Sequence, residues 1–239
     1  MIGTHLKKLR RRADISAEEE RAITDLFTET REVRADHVAV REGQELSACL
    51  LLVEGWMARS KDLPEGQRQI TEVHVAGDFA DLHGFTLGRL DHDVLTLTDC
   101  VLAVAPHERV RALTEKHPRI GRIYWFTTNL DAAISREWTL SLGQRSALAR
   151  AASVFCELFD RLQIVGLTNG STYDFPLTQR ELAECIGLTV VHANRTLQQL
   201  RRRGLIELED RKLTILDREG LEKAAEFDPS YLYLEKRSF

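Results

Sequence analysis

The residues best suited to chemistry in this 239-residue chain lie in one segment near its C-terminus. Between Thr178 and Ile206 there are five arginines against two glutamates, a basic stretch in a chain whose formal net charge is −4. An arginine side chain can donate two hydrogen bonds to the O6 and N7 atoms of guanine, and an apolar side chain can contact the methyl group of thymine. The segment therefore has side chains of the kinds that read a DNA base sequence.

The spacing within this segment predicts two helices joined by a short turn. Thr178 followed by Glu181 forms a capping box at the start of the first helix. Gly187 stands where a left-handed residue ends that helix, and Thr189 caps the second. The second helix is expected to bury apolar residues at steps of three, four and three, namely Val190, Ala193, Leu197 and Leu200. Two helices joined in this way form a helix-turn-helix.

The outward face of the second helix is the predicted reading surface, because this helix enters the major groove of DNA. Its outward side chains are predicted to be Val191, His192, Arg195, Gln199 and Arg202. We expect Arg195 to bind guanine, His192 to bind a base or a phosphate, and Val191 to contact a thymine methyl. The arginines at residues 201–203 suit phosphate contacts and a solvated helix end equally well.

A wing and a closing helix are predicted after the second helix. Residues 204–208 and 213–216 alternate apolar and polar side chains around the polar turn at residues 209–212, as the strands of a hairpin do. Asp217 then caps a final helix.

The first half of the chain predicts a small β-barrel or sandwich. Short apolar stretches, separated by turn signals that contain glycine, follow one another at fairly even spacing from residue 38 to residue 104. A helix precedes them, because Ser16 and Glu19 form another capping box.

A long helix is predicted over residues 118–142, with Pro118 at a favourable first position and Gly143 at its end. Its apolar residues occupy more than one face, so the helix must be covered on two sides. The same helix of a second chain would cover one side in a two-fold dimer, and burial within a single chain is the alternative. The residues assigned to the dimer contact are Ile123, Thr127, Leu130 and Ile134.

Composition disfavours several classes of protein. No apolar run approaches the ~20 residues of a membrane span, and no secretory signal is present. No two of the four cysteines have the spacing of metal ligands. We expect them to be small buried residues in a reducing cytoplasm. No nucleophile–base set or glycine-rich phosphate loop stands out, so the chain is not expected to be an enzyme. The basic run at residues 7–12 is interpreted as a solvated helix face, with a nucleic-acid-binding arm as the alternative.

This order of parts resembles the Crp/Fnr superfamily of bacterial regulators. The most specific matches are residues 177–189, the pair Asn194 and Arg195, residues 204–206, Gly55, and the turn at residues 77–79. The resemblance implies an α+β fold with three domains. These are a jelly-roll-like β-roll sensor domain over residues 1–116, a dimerisation helix over residues 117–143, and a winged helix-turn-helix DNA-binding domain over residues 144–239.

The resemblance also implies roles for single residues. Thr178 and Arg180 would contact phosphate, and Arg195 would be the shared base-reading arginine. Thr189 is grouped with these DNA-binding residues. Many relatives have a glutamate where this chain has Val191, so their usual operator sequences do not carry over.

The sensor domain departs from the cyclic-nucleotide binders that it resembles. Those proteins hold the phosphate with an Arg-Ser pair and the ribose with a glutamate. In an alignment from Gly77, the residues at these places are Leu82, His92 and Asp93. A buried phosphate without a paired cation is costly, so we expect no response to cyclic AMP or cyclic GMP. A shifted alignment in which Arg89 or Arg59 supplies the cation is the alternative.

No cofactor or metal is predicted. His83 falls near the haem-ligand histidine of the carbon-monoxide-sensing branch, but the partner cysteine of that branch is Asp81 here. A lone histidine in a β-roll turn is more often a hydrogen-bonded structural residue. The candidate effector pocket consists of Leu82, His83, His92 and Asp93.

The sequence therefore predicts a cytoplasmic transcription regulator that binds an inverted-repeat operator in double-stranded DNA as a homodimer. RNA polymerase is an expected partner, a membrane is not, and cyclic AMP is not the expected signal. The alternative is a ligand-gated regulator of the same fold that senses a small molecule or a haem-bound gas in the β-roll.

Overall fold

The computed structural model of the protein describes residues 2–236. Two helices, α1 (Gly3–Arg12) and α2 (Ala17–Thr24), precede a β-roll of two antiparallel sheets. The strands of the β-roll are β1 (Glu29–Val33), β2 (Val38–Val40), β3 (Ala48–Glu54), β4 (Trp56–Asp62), β5 (Arg68–Val75), β6 (Asp93–Thr96) and β7 (Cys100–Pro106). One sheet has the order β1-β7-β3 and the other β2-β6-β4-β5. A short helix, α3 (Gly84–Leu87), lies between β5 and β6.

The tight turn between β3 and β4 depends on Gly55. Its φ of +96° is strained for residues with a side chain, and a Cβ atom there would overlap the carbonyl oxygen of Asp99. The turn lets Cys49, Leu51 and Leu52 of β3 and Met57 and Ala58 of β4 all enter the core.

Three helices follow the β-roll: α4 (His107–Lys116), α5 (Pro118–Gln144) and α6 (Ala147–Val165). The chain turns sharply after α5, because Arg145 is extended and Ser146 caps α6 by accepting a hydrogen bond from the Ala149 N–H. In a buried contact between the two helices, Trp138 Nε1 of α5 donates to Glu157 Oε2 of α6 at 3.0 Å. The predicted break at Gly143 lies inside α5, one residue before its observed end at Gln144.

The C-terminal part has the winged helix-turn-helix order. Its elements are β8 (Thr168–Asn169), β9 (Thr172–Asp174), α7 (Gln179–Ile186), α8 (Val190–Arg202), β10 (Ile206–Glu209), β11 (Lys212–Ile215), α9 (Arg218–Ala225) and a 3-10 helix (Pro229–Leu232). The predicted capping boxes at Ser16 and Thr178 are both formed, Gly187 has a φ of +62°, and Asp217 caps α9. The sequence did not predict the hairpin β8–β9, which extends the wing into a four-stranded sheet of order β10-β11-β9-β8.

A buried carboxylate, Asp78, joins α1, the β-roll and α6. It lies in the turn after β5 and accepts hydrogen bonds from Lys8 Nζ of α1 at 2.6 Å and from Arg161 Nη2 of α6 at 2.7 Å. Within the turn, Asp78 Oδ2 also accepts a hydrogen bond from the Val75 N–H at 3.0 Å. Burial alone would raise the pKa of Asp78, but Lys8 and Arg161 hold it well below its usual range. We call Lys8, Asp78 and Arg161 the Asp78 junction.

The basic N-terminal run is part of this packing. Besides Lys8, Lys7 Nζ donates to the Val165 carbonyl oxygen of α6, and Arg10 pairs with Glu20 of α2. Arg12 donates to the carbonyl oxygen of Glu235. Lys7, Arg10 and Arg11 are exposed, as the predicted solvated helix face requires, while Lys8 and Arg12 are half-buried and bound to the rest of the chain.

The residues assigned to a dimer contact require a correction. All four side chains of that set are buried within the single chain, with exposed fractions from 1% to 9%: Ile123, Thr127, Leu130 and Ile134. Ile123 packs in the core formed with α1 and α2, and Leu130 and Ile134 pack in the core shared with α6. Side chains buried this far within one chain have little surface left for a second copy, so the structure does not support the assignment of these four to a dimer contact.

The Asp78 junction generates a stability prediction. Arg161→Ala removes one of the two cations paired with a buried carboxylate, so we expect it to lower the free energy of unfolding by about 3–5 kcal/mol. Urea unfolding of the purified protein measures this loss. The matched control is Arg180→Ala, which breaks an exposed ion pair with Glu184 and should cost under about 1 kcal/mol. Equal losses in the two variants would contradict the role assigned to the junction.

Candidate nucleic-acid interface and effector region

One face of α8 is exposed along the whole helix. Its opposite face is buried against α7, α6 and the wing by Ala193, Thr196, Leu197 and Leu200. The exposed residues at i, i+4, i+7 and i+11 form what we call the reading stripe: Val191, Arg195, Gln198 and Arg202. The stripe lines a surface groove of about 370 Å³ together with Val190 and Asn194.

The structure exposes every residue predicted to face outward on α8. Val191, Arg195 and Arg202 lie in the reading stripe, while His192 and Gln199 lie exposed on its flank. Gln198 was missed, although its spacing of three from Arg195 places it on the same face. Asn194 was noted only as part of a motif, and its Nδ2 donates to Gln179 Oε1 of α7 at 3.2 Å.

Val190 was expected in the core and is instead 43% exposed. It is the first residue of α8, and Leu188 in the preceding turn packs against the core at this end of the helix. At this end of α8 the core is therefore filled by Leu188 and not by Val190.

The start of α7 lies beside the reading stripe, because the Gln179–Asn194 hydrogen bond joins the two helices. Thr178 uses both of its donors within the capping box, since its N–H and its hydroxyl donate to Glu181 Oε2. Arg180 is exposed and pairs with Glu184 at 3.0 Å. The Thr189 hydroxyl accepts from the His192 N–H and keeps its own hydrogen for another acceptor.

The three arginines at the end of α8 have different positions. Arg201 donates to the carbonyl oxygen of Leu208 in β10 and so ties the helix to the wing. Arg202 and Arg203 are exposed. The wing turns through Asp210 and Arg211, whose φ values of +47° and +59° suit a tight two-residue hairpin.

The interior of the β-roll is occupied by Arg59 of β4. This buried guanidinium donates to Glu72 Oε2 at 2.7 Å, to Asp131 Oδ2 of α5 at 2.9 Å and to the Ala80 carbonyl oxygen at 2.8 Å. One cation thus serves two carboxylates. Burial raises the pKa of Glu72 to about 8 despite the neighbouring Arg59, and burial raises the pKa of Asp81 to about 7.

The candidate effector residues do not form a phosphate site. The rings of His83 and His92 stack with their centroids 5.2 Å apart. Burial lowers the pKa of His83 to about 3 and also lowers the pKa of His92, so neither ring is cationic at neutral pH. Leu82 lies in the core, and Asp93 accepts a hydrogen bond from the Glu42 N–H at 2.6 Å.

Neither Arg59 nor Arg89 supplies the buried cation that a cyclic phosphate would need. Arg59 has its donors engaged as described, and Arg89 is exposed. The residues present therefore do not fit a cyclic nucleotide held by a buried cation. Within residues 2–236, no three histidine, cysteine or acidic side chains are grouped as metal ligands, and no helix has the length and apolar character of a membrane span.

The pKa of Glu72 generates a pH prediction. A carboxyl group whose pKa is raised on folding stabilises the protein at low pH, and that stability is lost as the pH rises towards the folded value of about 8. The buried histidines act in the opposite sense, but only below their ordinary pKa of about 6.5. We therefore expect the free energy of unfolding to fall between pH 7 and pH 8 by about 1 kcal/mol.

Urea unfolding at a series of pH values measures this change. Glu72→Gln carries no titrating group at the position, so it should lose most of this decline and keep the smaller one that Asp81, with a pKa of about 7, contributes. A wild-type profile as flat as that of Glu72→Gln would show that Glu72 is already ionised at neutral pH.

Comparisons with known proteins agree with this geometry. Residues 149–224 match the family model of the Crp-like helix-turn-helix domain, and residues 30–117 match that of the cyclic nucleotide-binding domain. The chain is 29% identical over 203 residues to the transcriptional activator protein FnrL of Cereibacter sphaeroides, covering 83% of this chain and 80% of that protein. It is 28% identical over 176 residues to the nitrogen fixation regulation protein FixK of Bradyrhizobium diazoefficiens, covering 73% and 72%.

Two solved structures share the fold. FixK2 from Bradyrhizobium japonicum superposes with a TM-score of 0.75 at 21% identity, covering 82% of this chain and 96% of that one. The c-di-GMP responsive global regulator CLP of Xanthomonas campestris superposes with a TM-score of 0.66 at 15% identity, covering 84% and 100%. The predicted α+β class, with a β-roll, a long helix and a winged helix-turn-helix, is confirmed. Because the two family models together match more than half of the chain, in the order in which the structure has these parts, the protein belongs to the Crp/Fnr family of bacterial transcription regulators.

Proposed function

We propose that the protein is a homodimeric regulator that binds an inverted-repeat DNA operator through α8 and needs no cyclic AMP to do so. The observation that carries the proposal is the reading stripe, a fully exposed helix face with two arginines on the second helix of a helix-turn-helix. Binding to the chromosome implies that the protein works in the cytoplasm. The relatives named as transcriptional activators support RNA polymerase as a further partner.

Each exposed side chain has a role in this proposal. Arg195 donates to a guanine in the major groove, and Gln198 and Arg202 follow the groove along the stripe. His192 and Gln199 contact the flanking bases or phosphates. Arg180, the Thr189 hydroxyl and the N-terminus of α7 at Thr178 bind the DNA backbone.

The outer face of α5 supports a homodimer. Exposed residues recur there at alternating steps of three and four, which is the repeat of a coiled-coil contact: Arg122, Trp125, Asn129, Ala132, Arg136 and Thr139. Trp125 is 69% exposed, a large apolar surface for a single chain to leave in water. A second α5 packed along this face would cover Trp125 and place two copies of α8 on one side of the dimer.

The buried charges support DNA binding without a nucleotide signal. Arg59 is bound by both Glu72 and Asp131, so the β-roll is linked to α5 by its own side chains. The Asp78 junction ties α6 to the β-roll in the same way. Gating by another small molecule is the alternative, and a cleft of about 820 Å³ between the β3–β4 turn and the wing supports it, since a ligand there would contact both parts.

Selection of bound duplexes from a random-sequence pool tests the DNA site. We expect an inverted repeat with half-sites ~34 Å apart, and the same repeat with and without added cyclic AMP. Arg195→Ala should weaken binding by about 1–3 kcal/mol and relax the preference at one position per half-site. Arg180→Ala is the matched control, because loss of a phosphate contact should weaken all duplexes alike and reduce the salt dependence. An Arg195→Ala protein with unchanged preference would refute the proposed reading face.

Light scattering tests the dimer. Ala132→Glu adds a carboxylate to the outer face of α5, where two-fold symmetry would bring it near its own copy, so we expect monomers that bind the operator poorly. Ala132 is exposed, so the chain itself should still fold. The matched control is Ala112→Glu on the exposed face of α4, which should remain a dimer. An Ala132→Glu protein that stays dimeric would place the contact elsewhere.

A further inference from the structure

Two adjacent valines are exposed at the start of α8. Val191 is 64% exposed and Val190 is 43% exposed. β-Branched residues are poor choices for a solvated helix position, because they lose side-chain freedom there and leave apolar surface in water. Both side chains therefore leave apolar surface in water, while the rest of the reading stripe is polar. The apolar pair therefore calls for an apolar partner outside the chain.

The surroundings of the pair identify that partner. Arg195 lies one helical turn from Val191, and Arg202 lies two turns further along the same face. Such a cationic surface disfavours an apolar protein partner and suits a polyanion. On the major-groove edges of the four base pairs, the only apolar group is the 5-methyl of thymine.

We propose that Val190 and Val191 select thymine in each half-site by contact with its 5-methyl group. This inference rests on the proposed DNA-binding function and deepens it. Successive residues of a helix point about 100° apart, so the two side chains lean towards neighbouring base pairs. Arg195 is about 6 Å along the helix axis from Val191, which places the guanine that it reads within about two base pairs of these thymines.

The Gln179–Asn194 hydrogen bond makes the contact selective. It holds the first turns of α8 against the start of α7, so the valines are presented by a fixed backbone. Valine has no acceptor for the N4 amino group of cytosine, which a glutamate at the same place would have. Val190 and Val191 thus recognise a base by its methyl group alone.

Replacement of thymine by deoxyuridine tests the proposal, since it removes the methyl group and keeps base pairing. The probe is the duplex recovered from the random-sequence selection, with each thymine of one half-site replaced in turn. We expect wild-type protein to bind about fourfold more weakly when a contacted methyl is removed, the value of about one buried carbon. Fluorescence anisotropy titration at constant salt measures the affinities.

Variants assign the methyl effect to the two valines. In Val191→Ala and Val190→Ala, deoxyuridine at the position that each residue contacts should change the affinity by less than about 1.5-fold, because the contact is already lost. Val191→Glu should change the selected base at its position from thymine to cytosine. The control is Leu87→Ala, which truncates an exposed apolar side chain of the β-roll and should retain the full deoxyuridine effect.

The outcomes distinguish failure of the proposed DNA-binding function from failure of the methyl contact alone. Recovery of no preferred duplex would overturn the proposed function, and the methyl contact with it. A preferred duplex that binds equally well with deoxyuridine at every position would overturn only the methyl contact. A deoxyuridine effect that persists in both alanine variants would also overturn it, because the effect would then come from the DNA itself.

Discussion

The arrangement of this molecule depends on the buried carboxylate of Asp78. A charge removed from water is costly unless it is paired, and Asp78 finds its cations on α1 and α6 rather than in the β-roll. The turn that holds it is itself fixed, because His5 of α1 donates to the Gly77 carbonyl oxygen at 2.9 Å. Gln69 of β5 adds a further tie by donating to the last carbonyl groups of α7. The β-roll thereby sets the position of the helix-turn-helix.

The second buried cation, Arg59, has the same effect on α5. Its bonds to Glu72 and Asp131 join the sheet to the long helix through charges that the chain itself supplies. In this part of the fold the buried guanidinium is already held by two acidic side chains and by the Ala80 carbonyl oxygen. The Asp78 junction and the contacts of Arg59 therefore both hold the β-roll against the helices that follow it.

Local signals in the sequence were sufficient for the helix-turn-helix. The capping box at Thr178, the left-handed Gly187 and the cap at Thr189 each act within a few residues, so spacing alone locates them. The apolar pattern of α5 shows that two faces are covered but cannot show by what, and the residues assigned to a second chain pack inside the first. Asp78, Lys8 and Arg161 are far apart in the sequence, so no local pattern predicts their contact. Val190 was misplaced because the pattern alone could not show that Leu188 fills the core there.

The bond between Lys7 and the Val165 carbonyl oxygen has a consequence for how the chain folds during synthesis. The two residues are 158 positions apart, so α1 cannot complete its contacts until α6 has been made. The β-roll can form beforehand, but the final docking of α1 must wait for most of the chain. Separating the DNA-binding part from the rest of the chain would therefore break this bond and the Asp78 junction together.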